Sequence, residues 1–436
     1  MKMMKWSVLA VAVAAASTQA VASQQDEATG FIEGSKLDLN TRLFYFGDEF
    51  TNKKQRKAQG VENKYADELG LGFRAEYKSG FTQGTVGFGI DAWGLSAVRL
   101  DSGRGRHEDL SDRTAFFQER GNGKVRNTYG QAGGAVKARI SNTTAKYGSF
   151  VDIDTPVFSM DDSRLLPESA TGFFVTSEEI ENLTLNLGHF TALSEFTETD
   201  RDSFGLDKLD MLGGTYNVLE NLDVSYYYSR AKFNQAVLDN AKKHYLGANY
   251  GLDLGNDQAL DFGLNYYRTK LNGKSGQGHA KNNAWSLQGA YSIDAHKFTL
   301  AYQRMGGDTG YIYGYDGGGS IYLANDIQIN SFIQNKERSW KARYDLDMGK
   351  LAGINGLSFA AMYVRGSNIH NAHTSNGKNW ERDLEVAYTF QEGPAKDLNI
   401  RLRQASYRAS NGAAASTGLK DMNEVRLIVN YPLSIL

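Results

Sequence analysis

Cationic side chains alternate with apolar ones in segment 397–404, near the end of the chain. Arg401 and Arg403 alternate there with Ile400 and Leu402. Because successive side chains of an extended strand point to opposite faces, one face of this strand is apolar and the other carries guanidinium groups. A guanidinium is a planar, forked donor that matches the two oxygens of a carboxylate. The segment therefore predicts a strand that presents carboxylate-binding groups on one face.

The same alternation occurs in strands from both ends of the chain. In segment 36–45, Leu37, Leu39 and Leu43 share one face, which places Arg42 on the other. Closing a sheet on itself would bring such strands together as neighbouring parts of one wall. Counted in this way, the candidate binding residues on the water-facing side are Arg42, Arg74, Lys137, Arg139, Lys341, Arg343, Arg401, Arg403 and Arg426.

Two interpretations of this cationic face remain open. In one, the cations form a track of weak sites along which a carboxylate passes, since conduction requires weak and multiple sites. In the other interpretation, the charges only keep a pore hydrated and pair with the inward acids Asp38, Glu76, Asp345, Asp347 and Glu424. Both interpretations need water on the inner face of the sheet, because an arginine on a lipid-facing surface near the midplane costs about 2 to 4 kcal/mol.

The elements that must carry these residues are strands of about nine to eleven residues, the length that crosses a bilayer when tilted. Eighteen period-two segments can be counted. An even number is what a single-chain bacterial barrel requires. The predicted fold class is therefore all-β, a transmembrane antiparallel β-barrel of 18 strands. The predicted strands begin near residues 36, 66, 83, 126, 143, 172, 182, 208, 221, 243, 259, 282, 297, 339, 357, 380, 397 and 423.

Connections between these segments alternate between short and long, which is typical of barrels with short periplasmic turns and long external loops. A soluble β-sandwich has a similar composition but no reason to keep this alternation. Short connections are predicted around 78–81, 217–221, 292–296 and 391–395. Long connections are predicted at 47–65, 97–124, 150–171, 192–207, 269–281, 306–337, 366–379 and 409–422.

Two long connections have compositions that favour a position inside the lumen. Segment 152–172 mixes acids with apolar residues, and segment 306–326 carries tyrosines and acids among many glycines. Folded inward, they would form a constriction where hydroxyls and carboxylates meet arginines, and this field would orient a zwitterionic solute. The alternative is that both are variable surface loops. The candidate constriction residues are Asp161, Asp162, Arg164, Tyr311, Tyr313, Asp316, Ser320, Tyr322 and Asp326.

Glycines at inward positions of the predicted strands bear on the same question. Gly70, Gly72, Gly87 and Gly89 all share the parity of the water-facing side. They either bend the wall and leave room for a loop in the lumen, or are simply small residues that a water-facing surface tolerates.

The first residues have the order of a secretory signal peptide. Lys2 and Lys5 precede an apolar run from Trp6 to Ala16, and small residues follow it. The apolar run is too short for a membrane-spanning helix. Cleavage is expected between residues 20 and 25, so residues 1–23 are assigned to the signal peptide and residues 24–436 to a single barrel domain.

Composition argues against several other classes of protein. The 436-residue chain has no cysteine, which excludes disulfides, metal–thiolate sites and cysteine nucleophiles. Its formal net charge of −2 predicts no nucleic-acid partner. The seven histidines show no convincing metal or catalytic spacing, so neither an enzyme nor a cofactor is expected. The alternative from another class is a plugged barrel that serves as a surface enzyme or adhesin.

Short motifs spread over the whole mature chain form an ordered series from residue 36 to residue 428. They are KLDL at 36–39, VKARISNT at 136–143, RLLP at 164–167, GDTG at 307–310, SIYLAN at 320–325, SWKARYD at 339–345, YVRG at 363–366, AKDL at 395–398, RLRQ at 401–404 and NEVRLI at 423–428. The order makes the series specific, and it resembles the OprD family, also called the Occ family, of outer-membrane carboxylate channels.

The resemblance implies an eighteen-stranded barrel with an inward constriction loop and a ladder of basic wall residues. It implies one pore per chain in the outer membrane, both termini in the periplasm, and contact with membrane lipid and lipopolysaccharide. The chain departs from the family at Met362, an inward position where relatives carry a cation, and at Leu436, where most barrels end in an aromatic residue. On the matching positions, the rungs of the ladder would be Arg139, Arg343, Arg401, Arg403 and Arg426.

The resemblance also implies passive diffusion of small carboxylate-bearing solutes. Family members divide between channels for basic amino acids and small peptides and channels for aromatic or cyclic carboxylates. Asp316 and Asp326, which lie beside tyrosines, favour amino acids, including basic ones, over aromatic acids. A general diffusion pore without a binding track is the remaining alternative.

Overall fold

The computed structural model of the chain describes residues 22–61, 63–101, 116–118, 125–234, 238–273, 279–312 and 314–436. They form a closed antiparallel barrel of 18 strands, together with a pair of two-residue strands and three short helices. The fold class predicted from the sequence is confirmed. The proposed division into a signal peptide and one mature domain stays a prediction, because residues 1–21 lie outside the described part.

Strands of the barrel follow one another around the wall in chain order, and each pairs with the next. The barrel strands are β1 (Lys36–Phe50), β2 (Tyr65–Lys78), β3 (Val86–Asp101), β4 (Thr128–Ile140), β5 (Thr143–Phe150), β8 (Ser169–Ile180), β9 (Leu183–Ser194), β10 (Leu206–Leu219), β11 (Leu222–Phe233), β12 (Leu238–Gly255), β13 (Gln258–Gly273), β14 (His279–Ile293), β15 (His296–Gly307), β16 (Arg338–Asp347), β17 (Leu357–Asn371), β18 (Thr374–Thr389), β19 (Asn399–Ala409) and β20 (Met422–Ser434). The remaining strands are β6 (Asp154–Thr155) and β7 (Phe158–Ser159).

The barrel closes between its first and last strands. β1 pairs with β2 on one side and with β20 on the other, so that Arg42 lies opposite both Gly72 and Asn430. Closure satisfies the backbone donors and acceptors that an open edge would leave unpaired, which a lipid environment requires.

One end of the barrel carries the tightest connections. Residues 141–142, 181–182, 220–221 and 256–257 each join two strands there, and this end is called the turn end; the opposite end is called the loop end. Asn256 and Asp257 both have positive φ angles, 52° and 57°. Two central residues with positive φ define the hairpin turn whose twist matches that of the strands, and asparagine and aspartate tolerate this conformation.

The two faces of the wall differ as the alternation predicts. Leu402 is 46% exposed on the outer face, whereas the neighbouring Arg403 is 3% exposed on the inner face. Leu300 on β15 is 69% exposed on the outer face. Apolar side chains exposed in this way around a closed sheet form the band that meets lipid tails.

Two of the predicted long connections are wrong. β17 continues to Asn371 and β18 begins at Thr374, so most of the connection predicted at 366–379 is strand. Similarly, β13 continues to Gly273 and β14 begins at His279, within the connection predicted at 269–281. These strands extend past the lipid, so that their outer faces there meet water. The apolar alternation that identifies a membrane strand disappears there, although the hydrogen-bond ladder continues.

The helices are short and lie between strands. They are α1 (Lys53–Ala58), α2 (Met348–Ala352) and α3 (Asn411–Thr417). Asn52 and Asp347 cap the first two through side-chain oxygens that accept backbone N–H groups of the first turn. Among the described residues, no helix has both the length and the apolar composition needed to cross a bilayer.

Candidate solute pathway

A first connection folds into the barrel from the wall formed by β5 and β8. This segment, residues 151–168, is called the first lumen loop. Leu165 and Leu166 pack with the inward Phe44 and Phe46 of β1. On the opposite side of the loop, the ring of Phe158 lies 4.2 Å from that of Phe190 on β9, centroid to centroid. The expectation that this connection is an inward loop is thus consistent with its position.

Two inward glycines make room for the first lumen loop. A Cβ atom at Gly70 would lie 2.6 Å from Leu165 Cδ2, and one at Gly72 would lie 2.8 Å from the Leu165 carbonyl oxygen. At the turn end, a Cβ at Gly87 would overlap the Gln25 side chain of the N-terminal segment. These glycines therefore allow close packing inside the lumen, which decides between the two interpretations of their positions.

Replacing Gly72 by valine should push the first lumen loop away from the wall. The new side chain would collide with backbone at Leu165, and overpacking of this kind costs about 1 to 3 kcal/mol. We expect a folded barrel with altered single-channel conductance in planar bilayers. Gly94→Val is the matched control, because a Cβ at Gly94 has no other atom within 4 Å. Unaltered conductance in folded Gly72→Val would contradict this packing.

A second connection, residues 308–337, runs along the inside of the wall and is called the second lumen loop. The Ala324 N–H donates to Ser286 Oγ on β14 at 3.0 Å. The Asn325 N–H donates to Gln303 Oε1 on β15 at 2.9 Å, and the Asn325 side chain donates to Ser339 Oγ on β16 at 2.8 Å. Three consecutive wall strands therefore hold the middle of this loop.

The tip of the second lumen loop is held by charged wall residues. Both carboxylate oxygens of Glu381 on β18 accept loop N–H groups, from Ile329 at 2.7 Å and from Asn330 at 2.9 Å. Arg426 on β20 donates to the Gln328 carbonyl at 2.7 Å. These wall charges satisfy loop backbone groups that are buried from water, which an inward loop requires.

The start of the second lumen loop is anchored by a buried lysine. Lys243 Nζ on β12 lies 2.5 Å from Asp316 Oδ2 and 2.7 Å from Tyr311 Oη. Neither charged side chain of this ion pair is exposed to solvent. The ammonium also lies 4.7 Å from the ring centroids of Tyr311 and Tyr315, which surround it with aromatic faces.

The two lumen loops meet inside the barrel. The Ser159 N–H donates to the Asp316 carbonyl at 3.1 Å, and the Gly319 N–H donates to the Ser159 carbonyl at 3.1 Å. Glu168 Oε2 accepts the Gly318 N–H at 2.8 Å and the Asp161 N–H at 2.8 Å, so one carboxyl group joins both loops. Together the loops narrow the lumen.

Cations that keep access to solvent lie between the lumen loops and the turn end. Arg42 and Arg74 approach the carboxylate of Asp162, at the tip of the first lumen loop, at 2.9 and 3.4 Å. The two arginine side chains are 17% and 19% exposed, and Asp162 is 29% exposed. These three residues line a cavity of about 430 Å³.

Two further arginine–carboxylate pairs with partly exposed arginines lie on β16 and on β18 and β19. Arg343 and Asp345 on β16 are 2.5 Å apart and are 24% and 30% exposed. Arg401 on β19, which is 20% exposed, lies 3.5 Å from Glu385 on β18. Arg42, Arg74, Arg343 and Arg401 are therefore each accompanied by a carboxylate.

Other predicted rungs are buried against the lumen loops or the N-terminal segment. Lys341 donates to the Ala324 carbonyl, and Arg426 is 1% exposed and pairs with Glu424 at 2.7 Å. Lys341, Arg403 and Arg426 were expected to face the solute, but all three side chains are buried. The lumen loops that Lys341 and Arg426 support also cover them.

Lys137 and Arg139 on β4 are engaged at the turn end. Lys137 pairs with Asp91 at 2.6 Å, and Arg139 donates to Gln25 Oε1 at 3.0 Å while its guanidinium lies 4.1 Å from the Phe81 ring centroid. These cations therefore hold the wall and the N-terminal segment together. Met362, where relatives were expected to carry a cation, packs with Ile327 and Phe332 of the second lumen loop instead.

The predicted constriction residues differ in their accessibility. Tyr311, Asp316 and Ser320 are buried in the anchor of the second lumen loop, which corrects the expectation that they face the bore. Tyr322 donates to Asp154 at 3.0 Å across the two loops. Tyr313 lies outside the described residues.

The remaining predicted constriction residues belong to the first lumen loop or stay partly accessible. Asp161 accepts the Ser163 N–H at 2.7 Å, and Arg164 is buried near the rings of Phe46 and Phe196. Asp326 is half-buried. Asp162 is thus the acid of this set that pairs with the wall arginines.

Sequence reasoning missed the residues that anchor the loops. Lys243, Glu381 and Glu385 share the inward parity of their strands, so alternation was a signal that could have identified them. Glu168 and Gln25 lie in irregular segments and gave no such signal. Among the described residues, no group of three or more histidines, aspartates or glutamates is arranged to hold a metal ion.

A closed 18-stranded barrel with an apolar outer band and a charged, narrowed lumen defines an outer-membrane porin rather than an enzyme. The profile of the family described as OprD, outer membrane porin, matches residues 29–435, and the chain belongs to the OprD family. The chain is 41% identical to "Porin D" of Pseudomonas aeruginosa over 477 residues, covering 100% of both chains.

Solved structures agree with this assignment. OccAB1 of Acinetobacter baumannii has a TM-score of 0.86 and 30% identity, over 95% of this chain and 100% of that chain. OpdK of Pseudomonas aeruginosa, solved with vanillate, has a TM-score of 0.80 and 32% identity, over 93% of this chain and 100% of that chain. The chain is a substrate-specific channel for small solutes.

Proposed function

We propose that this porin passes small carboxylate-bearing solutes by passive diffusion, with zwitterionic and basic amino acids and small peptides as the favoured class. The observation that carries the proposal is the set of partly exposed arginine–carboxylate pairs on the turn half of the lumen, formed by Arg343 with Asp345 and by Arg401 with Glu385. A solute carboxylate can replace the protein carboxylate at the guanidinium, which is a forked donor.

The acids of these pairs support the preference for solutes with an amino group. Asp162 and Asp345 are about as exposed as the arginines beside them. A zwitterion can therefore meet both signs of charge within one pair, whereas an aromatic monocarboxylate uses only the cation. The vanillate-containing relative keeps aromatic carboxylates as the second candidate, and both classes belong in the same experiment.

The proposal includes the arrangement of the pore in the membrane. The N-terminal segment and the last residues of β20 lie at the turn end, which we assign to the periplasm; the loop end then faces the outside. Residues 1–23 serve as the signal peptide, and one chain forms one pore in contact with membrane lipid and lipopolysaccharide. Arg42, Arg74, Arg343 and Arg401 are the solute-binding cations in this scheme.

Replacing both Arg343 and Arg401 by glutamine tests the function. Neither side chain has a described contact with a lumen loop. Charged hydrogen bonds contribute about 1.5 to 3 kcal/mol, so we expect uptake of arginine and glutamate at low concentration to fall at least about fivefold. Liposome swelling and solute-induced current block measure this uptake.

Arg365→Gln with Arg382→Gln is the matched control, because it removes the same charge from the outer face. A neutral sugar of similar size should pass equally well through both variants. Unchanged, non-saturating flux of every carboxylate in the lumen variant would instead support a general diffusion pore. A selective loss of benzoate flux with arginine flux retained would favour the aromatic class.

A further inference from the structure

Four basic residues form a straight row on the outside of the barrel near its loop end. Arg230 on β11 lies directly opposite Lys242 on β12, Lys242 lies opposite Lys270 on β13, and Lys270 lies opposite Lys281 on β14. All four side chains are exposed on the outer face. These residues are called the outer basic row. With adjacent strands about 4.8 Å apart, the row spans about 14 Å along the surface.

The position of the outer basic row along the strands matches the level of lipid headgroups. Four residues nearer the turn end, the same strands carry the paired row Tyr226, Leu246, Tyr266 and Trp285. Aromatic side chains mark the boundary between lipid tails and headgroups in barrels of this type. Four residues of tilted strand raise the basic row about 10 Å above this boundary.

The charges of the row repel one another and lack acidic partners. Like charges directly opposite each other destabilise a sheet. Nearby outward side chains at the same end do have acidic partners: Lys232 pairs with Asp207, and His189 Nδ1 lies 2.6 Å from Asp210 Oδ1. Within the part of the chain that the structure describes, no carboxylate forms an ion pair with the four side chains of the row. The acid nearest in register is Asp210 on β10, which lies directly opposite Arg230 and contacts His189. Asp308 accepts the backbone N–H of Lys281.

Additional positive charge lies beside the row. Arg268 on β13 occupies the next outward position toward the turn end, opposite His244 on β12. The row and Arg268 therefore form a basic surface several strands wide, bordered by side chains that contact lipid tails. A surface of this composition and level is complementary to an anionic lipid headgroup rather than to a soluble protein or a free ion.

We propose that the outer basic row binds the phosphate groups of lipopolysaccharide in the outer leaflet. The inference rests on the proposed function only for its orientation, in which the loop end faces outside. The ammonium group of lysine and the guanidinium group of arginine donate hydrogen bonds to phosphate oxygens. Each such charge near a membrane surface also strengthens the attraction to anionic lipid. Bound phosphates would also relieve the repulsion within the row.

The test compares two triple variants of the full barrel in detergent. The row variant carries Lys242→Gln, Lys270→Gln and Lys281→Gln; the rim control carries Lys36→Gln, Lys350→Gln and Lys396→Gln, which remove the same charge from exposed positions at the turn end. The probe is fluorescently labelled lipopolysaccharide with short sugar chains, titrated by fluorescence polarisation. We expect the row variant to bind it at least about tenfold more weakly than the unmodified barrel, and the rim control to bind it normally.

Two further arms make the result specific. Lipopolysaccharide stripped of its phosphates should bind the unmodified barrel as weakly as the row variant binds the intact lipid. Phosphatidylglycerol micelles should compete poorly. Equal binding by the row variant and the rim control, indifference to phosphate removal, or equal preference for phosphatidylglycerol would each overturn the proposal.

Conductance separates this inference from the proposed function. The row variant should keep the single-channel conductance and carboxylate block of the unmodified barrel, which also reports that it is folded. Loss of carboxylate selectivity in Arg343→Gln with Arg401→Gln should leave lipid binding unchanged. The two proposals can therefore fail independently.

Discussion

Replacing Lys243 by methionine should release the start of the second lumen loop and increase the conductance of the pore. Methionine has a similar volume but leaves the buried carboxylate of Asp316 without its cation, which lies 2.5 Å away in the native chain. Breaking a buried ion pair from one side costs about 3 to 5 kcal/mol. The cost is avoided if residues 311–320 move away from the wall, so we expect a wider, noisier channel in planar bilayers.

Two controls make this prediction decisive. Lys242→Met removes the same charge from the preceding residue, which faces outward. This substitution should leave the conductance unchanged. Combining Lys243→Met with Asp316→Asn leaves no buried charge, and this double variant should recover most of the native conductance. Native conductance in a folded Lys243→Met barrel would show that the ion pair does not hold the loop.

Raising the pH above about 8 should loosen the joint between the two lumen loops. The pKa of the Glu168 carboxyl group is raised to about 8, first by burial and then by the neighbouring Asp161 carboxylate, against the lowering effect of the two backbone N–H groups that it accepts. The pKa of Glu168 in the folded protein lies above its ordinary value near 4.5. The protonated carboxyl group therefore stabilises the folded arrangement fully below pH 4.5, and this stabilisation is lost as pH rises through 8.

Single-channel recordings from pH 6 to pH 9.5 measure the effect. We expect frequent sub-conductance transitions to appear above pH 8, when a charged Glu168 lies beside Asp161 in a site shielded from water. Glu168→Gln keeps an oxygen that accepts both N–H groups but does not titrate, so its recordings should be alike across this range. A pH response of equal size in Glu168→Gln would assign the titration to another group.

Alternation along single strands was enough to predict the barrel wall. Arg343 and Arg401 were placed inside because each lies between outward apolar residues, and strand parity depends only on neighbours in the sequence. The same local reasoning failed at Asn371 and Thr374, where β17 and β18 continue beyond the lipid. No lipid contacts the outer face there, so nothing requires apolar side chains to alternate with polar ones.

Positions inside the lumen could not be predicted because they depend on residues distant in the sequence. Asp316 was expected to meet arginines across the bore, yet it pairs with Lys243, which is 73 positions earlier in the chain. Arg426 was expected to bind solute, yet its guanidinium satisfies the Gln328 carbonyl. A charged residue on a wall strand has the same local sequence signature whether it contacts solute or supports a loop.

The tip of the second lumen loop rests on Glu381 of β18 and on Arg426 of β20, which borders the seam of the barrel. Arg42 of β1, whose neighbour in the closed sheet is β20, holds the tip of the first loop. Across the seam, Arg42 also donates to Asn430 Oδ1 of β20 at 2.8 Å, and the Arg426 guanidinium lies 4.8 Å from the ring centroid of Phe46 on β1. The seam that closes the cylinder therefore also braces the residues that hold both lumen loops, and a barrel with an open seam would lose contacts at both.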